Sequence, residues 1–178
     1  GASLEQTTLL VGALKRSDAF GDRLAAVALE HSLRPVSYES AYYKIPTDWS
    51  PDGRHLLFSA MTSSDFDLWL LPVAGDPKPV SFLSAPGDQM HGNFSPNGML
   101  VAYSSNESGR SEIKVQTFPL TDRQWTVSTT GGYEPRWRAD GRELYYLSLG
   151  QKLMAVAVGP GPSFGARTEL FQVRIAGG

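Results

Sequence analysis

The chain of 178 residues contains no cysteine. A disulfide framework, a thiolate nucleophile and cysteine-ligated zinc are therefore excluded. Histidine is scarce too: His31, His55 and His91 are the only three, and no two of them stand at zinc-binding spacing. A calcium-loop pattern is absent. The formal net charge is only −2, which removes the broad basic footprint of a nucleic-acid binder. No apolar run approaches the roughly 18 residues that would suggest a membrane span. The run LLVGAL near the start is short and lacks a basic n-region, so it does not read as a signal peptide. Neither H-R-D nor D-F-G occurs, so the chain carries no kinase signature. No catalytic constellation, metal site or cofactor is expected.

One apparent catalytic motif dissolves on inspection. GPSFG, residues 161–165, satisfies G-x-S-x-G with Ser163 as nucleophile. That motif requires a strand-to-helix elbow, with acid and histidine partners following in the chain. Here all three histidines lie upstream and no helical pattern follows. The segment reads instead as a Gly/Pro loop between the last two strands. The short acidic clusters, Asp65 with Asp67 and Asp88 with His91, read as solvated loop side chains.

What the chain does have is a repeat. TDWSPDGRHLLFSA (47–60) returns as GNFSPNGMLVAYSS (92–105) and as PRWRADGRELYYLS (135–148). Trp49, Phe94 and Trp137 mark one position, 45 and then 43 residues apart. Periods of this length signal an array of supersecondary units. Ser50-Pro51-Asp52-Gly53 places Pro where a type I turn wants its fixed φ, and Gly where the chain must turn left-handed. Ser95-Pro96-Asn97-Gly98 repeats this chemistry, and Arg138-Ala139-Asp140-Gly141 loses only the Pro and the Ser. The alternating apolar runs HLLFSA, MLVAYSS and ELYYLS then read as half-buried strands. Polar loops follow, and third strands come at DLWLLPV, EIKVQTFP and KLMAVAV. Fourth, outer strands are expected at 78–84, 124–130 and 169–175. Four antiparallel strands per unit describe a propeller blade.

Residues 1–44 fit this register as a degenerate first blade, with TTLLVGAL, RLAAV and RPVSYES as its strands. An amphipathic helix over SDAFGDRLAAVALEHSL is the competing reading. The expected organisation is a single all-β propeller domain of about four blades, or part of a larger ring. Its units are 1–44, 45–87, 88–131 and 132–178.

The W/F-S-P-D/N-G signature, followed by an apolar strand, a polar loop and D-L-W or E-I-K-V, resembles the TolB-type (PD40, WD40-like) β-propeller repeat. The match runs from about residue 45 to 158. The stretch from SNESGRSEIKV to KLMAVAV is similar, more narrowly, to bacterial propellers often placed behind a serine/threonine kinase domain. The resemblance implies a non-catalytic protein-interaction or sensing module, often facing the periplasm, with a protein partner and no membrane insertion. Propellers of this kind usually have six or more blades. A second chain completing the ring is thus one expectation, and a propeller-fold lyase or hydrolase working in its central channel is the rival.

Binding is expected on the face that carries the outer-to-inner connections and the second-to-third strand loops. Tyr42, Tyr43, Met90, His91, Tyr133 and Arg136 give that face side chains typical of interfaces. Asp48, Asn93 and Arg136 occupy equivalent positions with three different chemistries. That variation suits ring-lining residues free to specialise.

Overall fold

A computed structural model describes residues 23–26, 36–39, 43–62, 64–74 and 78–173. Three four-stranded antiparallel sheets dominate it. The first consists of β3 (Lys44–Trp49), β4 (His55–Met61), β5 (Phe66–Pro72) and β6 (Val80–Leu83). The second holds β7 (Gln89–Phe94), β8 (Leu100–Ser105), β9 (Glu112–Thr117) and β10 (Gln124–Thr126). The third holds β11 (Tyr133–Trp137), β12 (Glu143–Leu147), β13 (Lys152–Gly159) and β14 (Ser163–Gln172). Each sheet runs in chain order from an inner to an outer strand. Upstream, β1 (Arg23–Ala26) and β2 (Val36–Glu39) form an antiparallel pair. The RLAA part of RLAAV is therefore strand rather than helix, while Val27 and TTLLVGAL lie outside the described residues.

The repeated turn shows why its residue types matter. Ser50 Oγ donates to Asp52 Oδ1 (2.6 Å) and accepts from the backbone N–H groups of Arg54 (3.2 Å) and His55 (2.9 Å). Gly53 has φ +71° and donates its N–H to Ser50 O, a conformation that costs glycine nothing. In the second copy Ser95 Oγ donates to Asn97 Oδ1 (2.7 Å) and accepts from Leu100 N (2.9 Å). The third copy keeps the backbone turn, with Gly141 at φ +72°. Its hydroxyl is replaced by Arg138, whose guanidinium reaches Glu143 (2.9 Å) and Asp140 (3.4 Å) at the surface.

The sheets stack face to face. Leu57, Leu68, Leu70 and Phe82 of the first meet Phe94, Val101 and Tyr103 of the second. On the other side of the second sheet, Leu100, Ala102, Ile113 and Val115 meet Leu144, Tyr146 and Val156 of the third. Successive residues of β8 thus point into two different cores, which is why all six are buried. The same explains β4, where Leu56 and Phe58 pack into a further cluster on the sheet's other face. A sheet covered on both sides reads as a continuous apolar run rather than an alternation. Gly92 belongs to this stack as well: a Cβ there would lie 2.6 Å from Leu57 Cδ2.

Two expectations need correction. GPSFG is not a loop, because Ser163, Phe164 and Gly165 already belong to β14 and only residues 160–162 turn. Ser163 pairs with Gly159 across the hairpin, so it sits on no elbow. The last outer strand accordingly runs from Ser163 to Gln172 rather than starting at Glu169. Phe164 drives this, packing its ring on Trp125 of the second sheet at 5.9 Å.

The turn chemistry makes a graded prediction. Ser95→Ala orphans the buried N–H of Leu100 and should cost about 1–3 kcal/mol. Arg138→Ala, losing exposed ion pairs only, should cost less than about 1 kcal/mol. Urea unfolding of the two variants checks the order, and equal losses would contradict it.

Candidate functional site

The inner strands β3, β7 and β11 lie side by side, each with a bulge in the same place. A bulge re-aims the side chains that follow it. The bulge residues His91 and Glu134 take φ +57° and +53°, while Pro46 holds the corresponding place in β3. Just beyond each bulge comes the slot occupied by Asp48, Asn93 and Arg136.

These three do not simply line a channel. Asp48 Oδ2 accepts from Asn93 Nδ2 and from the Phe94 N–H, both at 2.7 Å. One sheet further on, Asn93 Oδ1 accepts from the Trp137 N–H (3.2 Å), and Trp137 Nε1 donates to Asn93 O (3.0 Å). The slot residue of each blade therefore takes the N–H one place past the slot in the next. Arg136 ends this series. It has no acceptor to offer, and its guanidinium donates to Pro135 O (2.8 Å). The expectation of freely specialising residues is thus corrected for Asp48 and Asn93, which are bound into the stack.

Burial pushes the Asp48 carboxyl up to about 6, against the opposing pull of the Phe94 and Trp49 N–H groups, Arg136 and Asn93. This partly buried acid, two hydrogen-bond donors and a nearby guanidinium form the most polar point of the inner strands.

The remaining predicted residues spread along the same strands. Met90 and Tyr133 are half-buried at equivalent positions near the strand starts. His91 Nδ1 lies 2.8 Å from Ser104 Oγ. Tyr43 precedes β3, is 61% exposed, and meets Phe66 edge to face at 6.1 Å. Tyr42 lies outside the described residues. Phe66 itself begins β5 rather than sitting in a loop, and Met61, its cross-strand partner, is 37% exposed. Tyr43, Met61 and Phe66 thereby form one apolar patch at the loop end of the first four-stranded sheet.

The loops beside this patch are tied down, by residues that sequence reasoning missed. Asp88 Oδ1 accepts from the Phe66 N–H (3.0 Å), linking the first and second sheets. Its other oxygen accepts from Asn106 Nδ2 (3.0 Å), and its N–H donates to Asn106 Oδ1 (2.6 Å). Glu112, itself buried, accepts from Ser128 Oγ, the Gly131 N–H (3.0 Å) and Arg110 Nη2 (2.5 Å). Asp88, which looked like a solvated loop group, is a strut, and Glu112 is a second. The signal available for Asp88 was its place directly before the second inner strand.

At the opposite end of the sheets a cleft of about 600 Å³ opens between the first and second blades, lined by His55, Phe82, Met99, Phe118 and Leu120 among others. His55 packs edge-on against Phe118 at 5.5 Å, a structural role. Among the described residues, no group of three acidic or histidine side chains is placed to hold a metal.

Solved structures identify the architecture. A putative TolB from Agrobacterium tumefaciens superposes with a TM-score of 0.63 at 13% identity, over 86% of this chain and 62% of that one. The fold is that of a TolB-like β-propeller. TolB from Acinetobacter baumannii gives 0.60 at 14% identity, over 87% of this chain and 42% of that one. A putative 6-phosphogluconolactonase from Bacteroides uniformis gives 0.55 at 18% identity, over 74% and 43%. This chain spans at most about three-fifths of the length of these propellers, so a partial propeller fits. No protein-family model matches the sequence, and no curated protein matches it.

The state of Asp48 has a measurable consequence. Its pKa lies above the ordinary carboxylate value in the fold, so folding favours the protonated form. As pH rises from about 4 to about 6 the unfolded chain ionises before the folded one, and stability falls through that window. Asp48→Asn removes this titration. Its stability relative to the parent should climb over the same window by up to roughly 3 kcal/mol and then level off. Thermal unfolding at a series of pH values tests this; parallel curves would refute it.

Proposed function

We propose that this TolB-like propeller is a non-catalytic protein-interaction or sensing module that recognises its partner with the loop end of its sheets. The observation carrying this reading is the apolar patch of exposed Tyr43 and Met61 with half-buried Phe66, beside loops already fixed by Asp88 and Glu112. Large aromatic and methionine side chains on a pre-ordered surface bind with little further loss of entropy. The partner docks across more than one blade, touching Tyr43 on the first and the Met90 and Tyr133 positions on the next two. The Asp48 and Asn93 side chains hold those strands in mutual register beneath it.

An enzymatic reading has one specific support, the acid at about 6 close to Arg136. It is the weaker of the two. Asp48 Oδ2 is committed to Asn93 and Phe94, and a proton-transfer group must be able to reach substrate. The binding reading is tested by placing a photo-cross-linking side chain at Tyr43 and, as a control at the opposite end, at Met99. Position 43 should yield a covalent adduct with another protein, lost when Met61→Asp is added. Adducts of equal yield at both positions, or none at 43, would overturn it.

A further inference from the structure

Asparagine is chemically labile, and the chain holds three: Asn93, Asn97 and Asn106. Only Asn97 precedes a glycine, whose missing Cβ leaves its backbone nitrogen unshielded as a nucleophile. The other two precede Phe94 and Glu107, and both ends of each amide are bonded. Asn93 donates to Asp48 and accepts from the Trp137 N–H. Asn106 donates to Asp88 Oδ2 and accepts from the Asp88 N–H. Asn97 differs: it is exposed in the second turn, and among the described residues only its Oδ1 is engaged. The nitrogen that deamidation must expel is held by nothing.

The turn nevertheless keeps the reacting atoms apart. Asn97 Oδ1 accepts from Ser95 Oγ (2.7 Å) and from the Met99 N–H (3.0 Å), which draws the amide to the backbone two places on. The Gly98 N–H donates to Ser95 O at 2.8 Å, so its nitrogen is not offered to Asn97 Cγ. We propose that Asn97 is a latent deamidation site, kept shut by the Ser95 hydroxyl and released when the second turn opens. In the reaction Gly98 N bonds to Asn97 Cγ, and the side-chain nitrogen leaves as ammonia. The Gly98 proton passes through water to that ammonia. Water then opens the imide ring, giving aspartate at position 97 or its isoaspartyl isomer. Water is the only co-reactant.

The repeat shows how the aspartate fits. Asp52 fills the same place in the first copy, where its Oδ1 accepts from Ser50 Oγ (2.6 Å) and the Arg54 N–H (3.0 Å). The Ser50 hydroxyl, and then the Arg54 N–H, hold that carboxyl below its ordinary range. Asp140 in the third copy likewise accepts from the Arg142 N–H (3.0 Å). Conversion to aspartate thus gives the second turn the form its two neighbours already have. It adds one negative charge to a turn whose Gly98 and Met99 line the cleft between the first two blades. The isoaspartyl product instead lengthens the main chain inside the turn and displaces the Gly98 N–H from Ser95 O. This inference rests on the second turn alone and stands independently of the loop-end reading above.

Mass spectrometry of the digested chain, after incubation at mildly alkaline pH, follows amide loss at position 97. The folded parent should convert at least roughly tenfold more slowly than the same chain in guanidinium. Ser95→Ala should convert roughly fivefold faster than the parent, or more. Ser50→Ala removes the same hydroxyl from the first turn and should leave the rate at Asn97 unchanged. Far-UV circular dichroism confirms that both variants keep their sheets. Asn97→Asp should unfold in urea at the parent's midpoint or above it. A parent that converts as fast folded as unfolded overturns the inference. So does a Ser95→Ala chain no faster than the parent or than Ser50→Ala, and a lowered midpoint for Asn97→Asp contradicts the fit of the product.

Discussion

A four-stranded sheet with apolar side chains on both faces cannot stand alone in water, and the architecture of this chain follows from that constraint. β4 and β8 are buried almost throughout because consecutive side chains enter different cores. Burying a leucine or phenylalanine side chain is worth about 1.5–3 kcal/mol, so stacking supplies what one blade by itself lacks. The polar bonds between slots add register to this attraction. Hydrophobic contact is non-directional, whereas Asp48 and Asn93 each recognise a particular N–H on the next inner strand. Arg136, with no acceptor, ends that series at the third sheet, on whose far face the described residues form no apolar cluster.

The repeat divides the residues into two groups. Those that recur, the turn Asp or Asn, the turn Gly and the inner-strand aromatic, serve the blade. Those that differ at equivalent positions are where the copies are free to acquire separate tasks. Tyr43, Asp88 and Gly131 share one such position. The first is an exposed ring, the second a strut between sheets, and the third an N–H donor to Glu112. A single structural place holds an exposed ring in one blade and a support in each of the next two.

Much of the blade was legible in the sequence because turns depend on particular residues: a hydroxyl, an acid or amide, and a glycine at fixed spacing leave few alternatives. The second strands were legible as apolar runs, but β4 and β8 are buried on both faces rather than half-buried. The early start of β14 was not, because Gly161, Pro162 and Gly165 look like loop residues, whereas the strand begins at Ser163 and Phe164 packs on Trp125. The slot series was half visible. Spacing placed Asp48, Asn93 and Arg136 together, yet bulges centred on non-glycine residues carry no sequence signature. The direction in which Asp48 and Asn93 point, toward the next strand, therefore had to come from coordinates. The loop struts Asp88 and Glu112 were hidden because a carboxylate satisfied by backbone N–H groups is indistinguishable in sequence from one in solvent.

The central claim is that neighbouring sheets, more than any sheet alone, stabilise each blade. Amide hydrogen exchange in dilute solution tests it most directly, since protection reports the free energy of local opening. The account predicts the slowest exchange in β8 and β9, whose sheet is covered on both faces. Exchange in β12 and β13, covered on one, should be distinctly faster. Equal protection in the two sheets, or slower exchange in β12 and β13, would contradict it.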